Sequence, residues 1–252
     1  MKYTKYIIAA ATIMAASQVN AELPVKFQLS ADAYLYDMEE TVSIPGYLEV
    51  GKYDGSLFGA TLKMTPTDTS IPWSGDISIR DGQLDGDYRD STLGVLTQGT
   101  VNVDRTDVEL SLNYSLTSNI FLTAGWYYVQ TDETVSGAGW SSKSDSDIHL
   151  FPVGIGFGTT EKLGDFYITP KASLAYLFGK IDRDLRATGG NSSISESLSG
   201  YEMEVTVIVD RPLSEDSSLF GEVGYRTQEF DGGDTDNSLA GPYIRLGYRW
   251  AF

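Results

Sequence analysis

Apolar and polar residues alternate with a period of two through most of the chain, the pattern of a strand whose faces meet different surroundings. Residues 24–36 set Val25, Phe27, Leu29, Ala31, Ala33 and Leu35 on one face, with Lys26, Gln28, Ser30 and Asp32 on the other. Residues 106–116 repeat this with Val108, Leu110, Leu112, Tyr114 and Leu116 against Asp107, Glu109, Ser111 and Asn113. Residues 119–130, 148–158, 166–178, 201–210, 219–229 and 240–252 continue the series, the last with Ile244, Leu246, Tyr248, Trp250 and Phe252 in phase. Two weaker segments lie at 57–64 and 73–80. No helical apolar stripe of useful length appears after the N-terminus.

The clear strands mostly run 11 to 13 residues. Strands of soluble sheets usually run about 5–6, whereas a tilted strand crossing a bilayer needs about 9–11. The connections differ in length as well. Short turns fall at Ser115–Asn119, Thr159–Asp165 and Arg211–Ser217. Long polar stretches fall at Asp37–Asp54, Asp81–Gln98, Asp132–Asp147, Lys180–Ser199 and Asp231–Ser238. Lipid does not tolerate an open sheet edge, so such a sheet must close on itself. The pattern predicts an all-β, antiparallel, up-and-down transmembrane barrel with short periplasmic turns and long extracellular loops. Both termini then share one side and the strand number is even. The segments favour ten strands, with eight as the alternative if residues 37–105 form one extended outer loop carrying its own hairpin.

Met1 to Ala21 reads as a cleaved signal peptide. Lys2 and Lys5 start it, Ile7 to Ala16 is its apolar stretch, and Val19-Asn20-Ala21 supplies the small residues a signal peptidase reads. The apolar stretch is roughly half the 20 residues a membrane-spanning helix needs. Residues 22–252 form the barrel domain on this reading, bound for the cell outer membrane.

With these features the chain resembles a small Gram-negative outer-membrane β-barrel, in the style of the OmpA-transmembrane, OmpX and OmpW groups. The resemblance is carried by the signal peptide, the hairpin from Leu112 to Tyr128 and the ending Tyr248-Arg-Trp-Ala-Phe252. It implies that Tyr248, Trp250 and Phe252 are the C-terminal signal for the outer-membrane insertion machinery. Outer-membrane lipid and lipopolysaccharide are the surroundings it implies.

Charge sharpens the picture. The sequence carries 35 Asp and Glu against 18 Lys and Arg, a formal −17, which argues against a nucleic-acid partner. No cysteine and a single histidine remove disulfides, thiolate chemistry and multi-His metal centres. No cofactor is expected. Opposite the apolar faces stand Lys26, Lys63, Arg80, Arg105, Lys171, Arg226, Arg245 and Arg249, against Asp32, Asp76, Asp107, Glu109, Glu202, Glu204, Asp210 and Glu222. Buried charges persist when paired, so this ladder predicts a plugged or very narrow lumen, with Lys171, Glu202, Glu204, Glu222, Arg226, Arg245 and Arg249 at its centre. The excess negative charge falls in the five long polar stretches. Carboxylate oxygens there could hold divalent cations, although Asp81–Asp87 and Asp231–Asp236 lack the ordered spacing of an EF-hand.

Catalysis would have to use His149. In barrel phospholipases and deacylases the serine stands two residues after the histidine, and that position is Phe151. Omptin proteases use an Asp-x-His pair with a second acidic pair opposite. Asp147-Ile-His149 matches the first spacing and Asp85-Gly-Asp87 could mimic the second. Phase opposes this, because Asp147 and His149 align with Phe151, Val153 and Ile155. The chain also reads as too short for the tall walls of an omptin. The expectation is a non-catalytic barrel with a structural, adhesive or narrow porin-like solute role, the omptin-like protease using Asp147 and His149 being the alternative.

Overall fold

The computed structural model describes residues 25–44, 47–66, 71–92, 95–187, 190–232 and 235–251. The signal segment Met1–Ala21 and the terminal Phe252 lie outside the described residues. Among the described residues eleven antiparallel strands follow one another: β1 Val25–Ile44, β2 Tyr47–Pro66, β3 Trp73–Thr92, β4 Val95–Ser115, β5 Ile120–Gly137, β6 Trp140–Gly158, β7 Glu161–Leu163, β8 Phe166–Ala187, β9 Gly190–Pro212, β10 Ser217–Gly232 and β11 Thr235–Ala251. Each long strand pairs with its neighbours in sequence, β6 pairs with β8, and β1 pairs with β11 to close the ring. The three-residue β7 only flanks the start of β8. Ten long strands thus make the wall, and the weak segments 57–64 and 73–80 belong to β2 and β3. The eight-strand alternative fails because β2 and β3, which lie within residues 37–105, are wall strands.

The described residues of the five long polar stretches are strand almost to each tip rather than loop. At each, two strands stay paired to their ends: Ile44 with Tyr47, Thr92 with Val95, Gly137 with Trp140, Ala187 with Gly190, and Gly232 with Thr235. Only two residues lie between the members of each pair. In the β5–β6 hairpin one of them is Gly139 at φ +81°, the left-handed conformation that two-residue hairpins require. The strands of 16 to 23 residues are therefore about twice as long as a bilayer crossing needs. The wall is tall, contrary to the expectation drawn from chain length.

Phase explains how one strand serves two environments. Near the end carrying the termini, outward positions are apolar and exposed: Tyr201, Met203, Val205, Val207 and Val209 on β9, and Ile244, Leu246, Tyr248 and Trp250 on β11. Further along, the same outward phase turns polar, as Asp37 and Glu39 do on β1 and Asn102 and Asp104 on β4. The inward phase does the reverse. Tyr34, Tyr53, Leu57, Leu84, Val101, Val103, Val135 and Tyr243 form one buried cluster inside the barrel. The lower storey is polar inside and apolar outside, and the upper storey is the opposite.

Proline interrupts the ladder in two places. Around Pro152 the β5–β6 pairing stops at Ala124–Val153 and resumes in the same register at Tyr127–Leu150, and around Pro242 the β1–β11 pairing stops at Tyr36–Tyr243 and resumes in the same register at Glu39–Ala240. Proline has no N–H to donate, so a gap falls where it stands.

Candidate functional site

The lumen is the candidate site, and it has three levels. The lowest is a polar vestibule of about 390 Å³, lined by Lys63, Asp76, Ser111, Asn113, Lys171 and Arg249 among others. Arg249 is paired with Asp210 across β11 and β9 and lies 4.1 Å from the centre of the Phe220 ring. Lys171 stands on β8 opposite Thr206 of β9 and is exposed to the vestibule.

Above the vestibule a layer of charge lines the lumen, its ion pairs joining neighbouring strands. Arg80 meets Glu109 at 3.2 Å, Arg226 meets Glu204 at 2.8 Å, and Arg245 meets Glu222 at 3.4 Å. Gln228 donates to Glu202 at 2.5 Å, with Arg226 at 3.9 Å from the same carboxylate. The Tyr243 hydroxyl lies 2.9 Å from both Glu204 and Glu222 and shares its proton between them. Arg245 also donates to Thr61 at 3.0 Å. Tyr34 lies between two guanidinium groups, Arg80 at 4.2 Å and Arg245 at 5.2 Å from its ring centre. A cation over an aromatic face is held by the ring quadrupole, so Tyr34 on β1 links Arg80 of β3 to Arg245 of β11. Every charge here has an opposite charge or hydrogen bond within reach, as burial demands.

All seven ladder residues named from the sequence face the lumen, six of them in ion pairs. Arg80, Glu109, Tyr34, Tyr243 and Gln228 complete the layer. Phase alone marked the charged ones. The same phase sets Tyr34 and Tyr243 inward, apart from the outward Tyr248 and Trp250.

The highest level is apolar. Against the buried cluster lies a cavity of about 140 Å³ lined by Tyr53, Leu84, Val103, Leu150, Leu198 and Phe230, and also by Arg105, Arg183, Glu133 and Gln228. Arg105 is held by Asp107 at 2.7 Å and Arg183 donates to Ser146 at 3.1 Å. A second void of about 60 Å³ adjoins it along Val129, Leu150 and Leu239.

Asp147 and His149 lie on the outer face of β6. His149 packs 6.0 Å from Trp126 and 4.9 Å from Tyr128, and Tyr128 donates to Asp147 at 2.6 Å. Asp85 and Asp87 are exposed on the outer face of β3, so the two pairs do not face one another across a cleft. The outer wall above them is acidic. Asp132, Asp145 and Asp184 are register neighbours across β5, β6 and β8, with Arg186 bound to Asp145 at 2.8 Å. Hydrogen bonds from Lys180 and Ser195 hold the Asp182 carboxyl below the ordinary range. Among the described residues no group of three or more His, Asp or Glu is arranged to hold a metal ion. Tyr248 and Trp250 are exposed on the lipid face of β11.

No protein-family model matches the sequence, and no curated protein does. Solved structures do resemble it. The outer membrane protease OmpT from Escherichia coli superposes with a TM-score of 0.66 at 9% identity, over 90% of this chain and 96% of that one. The translocator domain of the autotransporter NalP from Neisseria meningitidis gives 0.49 at 12% identity, over 97% of this chain and 95% of that one. The chain has the fold of a Gram-negative outer-membrane β-barrel, and its exposed apolar band is the surface such a barrel turns to lipid.

Proposed function

We propose that this outer-membrane barrel is a closed, non-catalytic element of the envelope, structural and adhesive in role rather than a solute channel. One observation carries the reading: a paired charge layer and an apolar cluster stand one above the other along the lumen. Ten strands leave a narrow interior, since about eight already allow side chains to fill it and open aqueous channels take about 16. An ion passing upward would have to displace paired charges and then cross an apolar storey.

What remains available for work is the outer surface. The strands rise well beyond the lipid band and present acidic and hydroxyl side chains such as Asp54, Asp85, Asp104, Ser193 and Ser195 to water. A rigid wall of this kind suits contact with cationic surfaces, or with lipopolysaccharide through divalent cations. Insertion would be guided by the C-terminal strand with Tyr248, Trp250 and Phe252.

A protease reading draws on the likeness to OmpT, and it has weaker support in the side chains. His149 stacks on Trp126 and Asp147 accepts from Tyr128 on the outer face of β6, while Asp85 and Asp87 lie apart from them on the outer face of β3. The purified protein is expected to leave peptide libraries intact, and cleavage lost in His149→Ala would reverse that reading. The primary test is planar-bilayer recording of the folded protein. Silence at moderate voltage is expected, and discrete conductance steps would overturn the closed barrel.

A further inference from the structure

We propose that the apolar upper storey of the lumen is a binding chamber for one small, uncharged, single-ring or branched hydrocarbon molecule. Protein interiors are packed with few voids larger than a water molecule. Here a void of about 140 Å³ persists inside the apolar storey and continues into one of about 60 Å³. Leu150, Val129 and Leu239 line both. An apolar cavity of about 150 Å³ stays dry and accepts a molecule the size of benzene. The larger void is of that size, so filling it with a ring restores dispersion contacts that its lining lacks.

The polar part of the lining sets the class of ligand. Arg105 is neutralised by Asp107, and Arg183 and Glu133 bring opposite charges to the same rim. No net charge is left to attract an ion, so a charged ligand would lose hydration without a partner. A neutral ring with at most one hydroxyl fits better, because Arg183 and Gln228 can offer it a donor. Below, the charge layer separates the chamber from the vestibule. The chamber is a blind site rather than a passage, and binding there depends on the apolar lining whatever the outer wall adheres to.

The test uses the full barrel in lipid nanodiscs, with 4-fluorotoluene followed by ¹⁹F NMR and empty nanodiscs as the measure of lipid partition. Saturable one-site binding above partition is expected. Leu150→Trp, which fills both voids, should weaken it at least tenfold. Val153→Trp, on the lipid face of the same strand, should leave it unchanged. If Leu150→Trp fails to fold, Leu198→Phe fills the larger void with less bulk and should also weaken binding. Partition equal to that of empty nanodiscs overturns the proposal. Saturable binding that survives the chamber substitutions overturns it as well. Benzoate should not displace the probe, and displacement at similar concentration would overturn the assignment to uncharged ligands.

Discussion

Tyr243 and Arg245 lie next but one on β11 and tie three strands together through Glu204, Glu222 and Thr61. Removing one partner of a buried ion pair costs about 3–5 kcal/mol, because the remaining charge is left without compensation. Arg245→Met should therefore destabilise the barrel by about 3 kcal/mol, and Arg245→Met with Glu222→Gln should recover much of that loss. Tyr243→Phe removes only the shared hydroxyl and should cost about 1–2 kcal/mol. Urea unfolding in lipid vesicles, read by the heat-modifiable gel shift, measures all three. A further residue supports this layer from the side. A methyl group added at Gly224 would come within 2.6 Å of the Tyr243 ring, so Gly224→Ala should displace the ring and cost about 1–3 kcal/mol on the same assay. The charges of this layer were legible in the sequence because period two sorts them inward. Their partners were not, because the offset between strands decides which carboxylate meets which guanidinium. Lys171, for example, comes opposite Thr206, while Ser173 comes opposite Glu204.

At the scale of the strand, the lower half of each element was legible and the upper half was not. The lower half has an apolar face long enough to mark a bilayer crossing. In the upper half the period of two continues with inverted polarity, Tyr34 and Tyr36 turning inward while Asp37 and Glu39 turn to water. Rich in Asp, Ser, Thr and Gly, such a stretch has the composition of a loop although its alternation is that of a strand. What keeps it extended is the apolar cluster it covers and the unbroken register up to each hairpin. Inversion makes a direct prediction on β4, where Asn102 is exposed and Val103 is buried. With both termini in the periplasm, Asn102→Cys should react with a membrane-impermeant maleimide on intact cells. Val103→Cys should not react until the barrel is unfolded. Equal labelling at both positions would mean that the upper segment is a loop after all.

Across the whole molecule, two closures of different chemistry act in series, and a series barrier is set by whichever part remains shut. Breaking the charge layer alone leaves the apolar storey to exclude ions, since a charge entering it loses hydration without a partner. Opening the apolar storey alone leaves Arg226 paired with Glu204 and Arg245 with Glu222 in the charge layer below it. Arg226→Ser with Tyr243→Ala should therefore stay silent in planar bilayers, and so should Leu57→Ser with Leu84→Ser. The four substitutions together should give discrete conductance steps, provided the gel shift reports a folded barrel. Conductance from either pair alone would mean that the other closure does not seal. Silence of the folded quadruple variant would mean that a third element blocks the path. The same reasoning accounts for why a chain with so many acidic residues outside carries matched charges within: the wall meets water and can stay charged, whereas the lumen must neutralise what it buries.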